Sequence, residues 1–160
     1  MNYIYYFIVG AVIIFNLVTY IFRKNKVGNI LESIRTSNGQ FISEIIFGLI
    51  FLMMDGYFLY LEVVVDHEPI KISTHSLMFI GIIMLINAGT SNTFIGGKGI
   101  SFATMPFYIP LNKISGYVIE DGKLILNRFN MADYRIAINI ADSNRIINVM
   151  DQLKIENKCK

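Results

Sequence analysis

The sequence predicts a membrane α plus α+β protein, with three transmembrane helices followed by a small antiparallel sheet and a C-terminal helix. Three observations carry this expectation. Apolar blocks with few or no charges fill residues 1–97, apolar and polar residues begin to alternate after Gly97, and a helical period closes the chain.

The chain has 160 residues, 54% of them hydrophobic and 16% charged. A soluble domain typically carries about 45–50% apolar and about 25% charged residues. Residues 1–22 hold no acid or base apart from tyrosines and the N-terminus, and residues 76–97 are uncharged. Residues 42–65 are apolar except for Glu44, Asp55 and Glu62. A helix crosses about 30 Å of hydrocarbon with about 20 apolar residues. The expected spans are therefore about 3–22, 42–65 and 76–95, within a transmembrane domain of residues 1–97. A buried helix of a soluble domain would show a polar face, which these blocks lack.

The first block is not patterned as a signal peptide. Its positive charges, Arg23, Lys24 and Lys26, follow the apolar run rather than precede it, and no A-x-A-like cleavage site accompanies it. It reads as a retained anchor. The loop between the first two spans also holds Arg35, whereas the loop between the second and third holds only Lys71. The positive-inside rule then places the N-terminus outside and the C-terminal domain in the cytoplasm of a multi-pass cell-membrane protein. The only cysteine, Cys159, excludes an internal disulfide framework. Next to a span, Arg23, Lys24 and Lys26 suit anionic lipid headgroups.

Residues 98–160 carry nine Lys/Arg and six Asp/Glu and form the second domain. Strands are expected in "GKGISFATM", "PLNKISGYVIED", "KLILNRF" and "YRIAINIA". Asp121-Gly122 is a strong hairpin signal between the second and third of these. "NMAD" supplies another turn, after which Tyr134, Ile136, Ile138 and Ile140 share one face. Asp142 or Ser143 caps a final helix. In it Ile146, Val149, Met150 and Leu153 fall at i, i+3, i+4 and i+7, one apolar face.

The run "KGISF…IPLNKISGYVIEDGKLIL…YRIAINI", followed by an amphipathic helix, resembles the PH-like domains of small bacterial membrane proteins. Pro110, Ile114, Tyr117, Gly122, Leu124 and the helix from Ser143 match that pattern; Leu111 stands where a Trp often follows the proline. The resemblance covers about the last 65 residues and implies a reduced PH-like domain on a bacterial protein. It further implies a non-catalytic accessory, regulatory or immunity-type function, exercised through protein or lipid contacts. Besides the bilayer, the partner implied is another membrane protein or a membrane-active peptide.

Asp55 is the sharpest single feature. A charge at the bilayer centre costs about 2.5–3.5 kcal/mol on insertion scales and so faces a cavity or a partner. Spacings of eleven residues from Glu44 and seven to Glu62 approach whole helical turns, so the three carboxylates share a stripe with Gly48. Three roles are open to Asp55. It can hydrogen-bond to Asn16 or Asn87 of the neighbouring spans as packing glue. It can pair with a polar group on another membrane protein. It can also serve an ion- or proton-coupled transporter, although the other two spans hold no ionisable partner for it. Asp66, His67, Glu68 and His75 are metal-ligand types without a recognised metal spacing, and the expectation is an exposed hydrophilic loop with no metal and no cofactor. "FIGGKG" lacks the spacing of a phosphate loop. No nucleophile–histidine set can be assembled, so no catalytic residue is expected. A formal net charge of +2 without a basic stripe leaves nucleic-acid binding unsupported.

Overall fold

The computed structural model describes residues 2–35, 38–69 and 75–158. Lys71 and Cys159 lie outside the described residues. The chain divides into two compact units, residues 1–18 with 39–90, and residues 19–38 with 91–160.

The first unit is helical. Helix α1 (Asn2–Val27) enters it through its first two-thirds, and α2 (Asn38–Tyr60) continues through a single π turn at Leu61–Val65. Helix α3 covers Ser76–Thr90. Close backbone approach sets the α2–α3 pairing: a Cβ on Gly81 would lie 2.8 Å from the Gly48 carbonyl oxygen, and one on Gly48 3.1 Å from that of Gly81. Small residues at such a crossing let two helix backbones meet. Asn16 opposes Asn87 and Tyr6 opposes Phe79, so α1 runs parallel to α3 and α2 antiparallel to both.

The stretches Tyr6–Val27 and Gln40–Val65 are long and apolar enough to cross a membrane, and only 11% of each apolar window is buried. The third expected span falls short. Its 15 residues rise about 22 Å at 1.5 Å per residue, less than the hydrocarbon thickness. The residues expected to complete it, from Asn92 on, form a strand instead. β-branched Thr93 and Ile95 with Phe94 favour that conformation, and an extended partner is available.

That partner is the principal departure from expectation. The segment between the first two apolar helices contains β1 (Ile30–Arg35), which pairs antiparallel with β2 (Asn92–Gly96). Strands β3 (Gly99–Ser101) and β4 (Tyr108–Pro110) complete a four-stranded sheet in the order β1-β2-β3-β4. The glycines of "FIGGKG" therefore belong to a β-hairpin in which Gly96 pairs with Gly99. A Cβ on Gly96 would lie 2.3 Å from the Asn29 carbonyl oxygen, so no other residue fits there.

A second sheet follows, with β5 (Ile114–Glu120), β6 (Lys123–Arg128) and β7 (Met131–Ala137) in meander order. Glu120 pairs with Lys123 across Asp121 and Gly122, both at positive φ, as a type I′ hairpin requires. The next turn lies at Phe129–Asn130, sharing only Asn130 with "NMAD", and Asn130 is at φ 55°. Of the residues expected to share the β7 face, Ile136 and Ile138 are buried, but Ile140 is 77% exposed. The strand ends at Ala137, and Ile140 opens a 3-10 turn held by the Asn139 side chain, which accepts from the Ala141 N–H.

Helix α4 (Ser143–Gln152) buries Ile146, Val149 and Met150, and Leu153 packs against the same core. That core is single. It joins Ile34, Ile95 and Ile100 of the first sheet to Leu124, Leu126 and Ile136 of the second. Asp142 occupies the N-cap position, but its side chain accepts from Arg145 rather than from a backbone N–H. Arg145 also pairs with Glu32 of β1, so α4 is tied to the strand that precedes α2.

Val149→Asp places an unpaired charge in this core. It should destabilise the second unit by about 3–5 kcal/mol, read by pulse proteolysis of the full chain, whereas Asn144→Asp on the exposed face should leave the cleavage curve unmoved.

Candidate functional site

The carboxylate stripe of α2 meets a partner that its spacing alone does not reveal. Asp55 is 3% exposed and His75 4% exposed. The His75 Nδ1 lies 2.8 Å from Asp55 Oδ2, and its Nε2 lies 2.9 Å from Glu62 Oε2. Seven residues of helix rise about 10 Å and make two turns. Asp55 and Glu62 thus stand one above the other, and a single imidazole spans the gap between their carboxyl groups. The π turn begins at Leu61, so Glu62 sits where the helix widens, with the Asp66 N–H donating to the Leu61 carbonyl.

The geometry constrains the protons. A neutral imidazole has one N–H and one lone pair, so it can donate to only one carboxylate. Two ionised carboxylates at hydrogen-bond distance require the imidazolium, which donates from both nitrogens. His75 lies outside both apolar stretches, and its pKa is raised above the ordinary value. The hydrogen bond to Glu62 is the largest cause, and the bond to Asp55 adds to it against the opposing effect of burial. Asp55 Oδ1 is also buried, with no hydrogen-bond partner among the described residues.

This arrangement corrects two expectations. His75 is not an exposed loop residue, although Asp66, His67 and Glu68 are exposed. Asp55 does not bond to the asparagines. Asn16 Nδ2 donates to Asn87 Oδ1 at 3.0 Å, so the two amides satisfy each other between α1 and α3. Asp55 also lies away from the middle of the bundle. Its partner immediately precedes the first turn of α3, and Tyr6 beside Phe79 puts the start of α1 at a similar level. The α2 helix and its π turn run ten residues farther, with Tyr57, Phe58, Tyr60 and Val63–Val65 exposed.

The three basic residues at the end of α1 separate into two roles. Arg23 is 2% exposed; its guanidinium donates to the Asn92 carbonyl and lies 5.6 Å from the centre of the Phe94 ring. It joins α1 to β2 and is not available to a headgroup. Lys24 and Lys26 are exposed, with the Lys26 ammonium 5.4 Å from the Phe22 ring centre.

Among the described residues no group of three His, Cys, Asp or Glu side chains is placed to hold a metal ion. The carboxylates of Asp55 and Glu62 approach opposite nitrogens of one ring, so their oxygens do not converge on a common point. Sequence reasoning placed Asp55 and Glu62 on one face but missed His75. The only available signal was a histidine directly before an uncharged helix. Compared with protein-family models, curated proteins and solved structures, the chain matches none.

The two polar contacts should differ in cost. Asn16→Leu removes a neutral amide pair, worth about 0.6–1.7 kcal/mol inside a helix bundle. Asp55→Leu leaves an imidazolium with one of its two anions and should cost about 3 kcal/mol or more. Thermal unfolding of the full chain in detergent near neutral pH ranks them. A larger loss for Asn16→Leu would be incompatible with the ionic bridge.

Proposed function

We propose that the chain is a bacterial multi-pass membrane protein with a PH-like module on the cytoplasmic side; because β1 pairs with β2, the short α3 brings the chain back to the side on which α1 ends. It acts there without catalysis, as an accessory, regulatory or immunity-type protein. The observation that carries the reading is the pair of apolar helices with bare surfaces. Phe7 is 77% exposed and Phe15 60% exposed, amid an almost unbroken apolar surface on α1. A soluble monomer rarely exposes more than a few hundred Å² of contiguous apolar surface.

The second unit supports the PH-like part of the proposal. Four strands, then three, then a helix on a shared core match in number the seven strands of a full PH sandwich, where the resemblance of the last 65 residues implies a reduced one. The first strand comes from between the apolar helices. Lys24 and Lys26, exposed at the end of α1, supply the attraction for anionic headgroups.

His75 weighs against catalysis: while it bridges Asp55 and Glu62 as the imidazolium, both nitrogens donate to carboxylates and neither offers a lone pair to a substrate proton. Transport through Asp55 is the weaker reading. Residues 2–18 and 76–90 contain no ionisable side chain apart from tyrosines, so a proton reaching Asp55 has no onward carrier along α1 or α3.

With Cys159 replaced by Ser, a cysteine at exposed Asp66 should react with an impermeant maleimide added to intact cells. A cysteine at exposed Asp133 should react only after permeabilisation. Both variants should stay in the membrane fraction after alkaline washing. Reversed labelling would overturn the orientation, and extraction by alkali would overturn the membrane reading itself.

A further inference from the structure

We propose that the Asp55–His75–Glu62 bridge is a proton-binding latch: one proton held by His75 fastens the start of α3 to α2, and loss of that proton frees it. The inference goes beyond the proposed function and does not require the orientation given there.

The two protonation states of His75 allow different bonds. As an imidazolium, His75 donates from Nδ1 to Asp55 and from Nε2 to Glu62, and a cation sits between two anions. Release of one N–H proton to water breaks that N–H bond and leaves its electron pair on nitrogen. That nitrogen then faces a carboxylate oxygen at under 3 Å, lone pair against lone pair. One contact turns from attractive to repulsive, and the bridge retains a single hydrogen bond. The proton has a route out, because the Glu62 side chain is 16% exposed while that of Asp55 is 4% exposed.

The surroundings supply few substitutes. The titratable groups of α2 and its π turn near the ring are Asp55 and Glu62, while Tyr57 and Tyr60 are exposed. Helix α3 contributes no titratable group, and Tyr6 is the one with a described side chain on the part of α1 within this unit. Asp66, His67 and Glu68 follow the π turn and are exposed.

The mechanical consequence follows from position. His75 immediately precedes Ser76, the first residue of α3. Gly48 meets Gly81 about a turn and a half farther along α3, and Phe79 meets Tyr6 of α1 within the first turn. Releasing His75 therefore removes the polar tie between α2 and the start of α3 while leaving the glycine crossing and the ring contact intact. The sign agrees with the raised pKa. The stabilisation is complete below the ordinary imidazole pKa and is lost as pH rises through the native one.

The test uses the full chain in phosphatidylcholine nanodiscs. The chain has two histidines, so His67→Asn leaves the NMR signal of His75 alone. His75 should titrate above the ordinary imidazole value, and Glu62→Gln should move its midpoint down. Hydrogen exchange of the Phe79–Ile82 amides, whose helical bonds run back to the carbonyls of His75–Met78, divided by the intrinsic rate, should lose protection as pH rises from the ordinary imidazole pKa through the native one. The loss should be about tenfold for each unit by which the native pKa exceeds the ordinary one. Protection in His75→Gln should not vary with pH. If that variant fails to insert, the titrations of the parent and of Glu62→Gln decide the matter. A His75 midpoint at or below the ordinary value, or α3 protection that does not follow its titration, would overturn the latch.

Discussion

The antiparallel pairing of β1 with β2 is the contact on which the second unit depends. It brings together two segments more than fifty residues apart in the chain, one following α1 and one following α3. The chain between them contains α2 and α3, so the strand-rich unit closes only once those helices have been traversed. Two side-chain contacts reinforce the joint. Arg23 reaches the Asn92 carbonyl from the end of α1, and Arg145 brings α4 onto Glu32. Gly96 is the steric condition for the whole arrangement, because its α-carbon lies against the Asn29 carbonyl.

The helical unit meets a different constraint. Three largely apolar helices have little hydrophobic incentive to associate when lipid can cover them equally well, so close packing and polar contacts must hold them. The unit contains one close-packed crossing and two polar contacts at successive levels of α3. Gly48 and Gly81 allow backbone contact, Asn16 and Asn87 satisfy each other's amides, and His75 bridges Asp55 and Glu62. The last is the most demanding. A buried carboxylate without compensation is expensive, and a bridging imidazolium compensates two at once at the expense of making their stability depend on a single proton.

Much of this was legible in the residues. The alternation around Asp121-Gly122 located β5 and β6, and the i, i+3, i+4, i+7 spacing of Ile146, Val149, Met150 and Leu153 identified the face α4 buries. The spacing put Gly48, Asp55 and Glu62 on one stripe of α2, and in the structure that stripe meets α3 and His75. The strand β1 escaped because "ILESIR" lies in a short polar-flanked connection, where topology favoured a loop between two spans. The strand β2 escaped because "NTFIG" continues an uncharged run, and an apolar run alone does not separate a buried strand from the end of a helix.

The sequence alone determined the local periods, the turn chemistry and the two long apolar stretches, because these rest on neighbours within a few residues. Only the tertiary structure decided that residues 30–35 complete a sheet begun sixty residues later, that the third apolar helix stops after Thr90, and that Arg23 is buried at a joint rather than left to solvent. It also decided what Asp55 touches. Two carboxylates on one helix face announce a partner, but the partner's identity depends on how a distant segment folds back. No periodicity in the chain encodes the distance between Asp55 and His75.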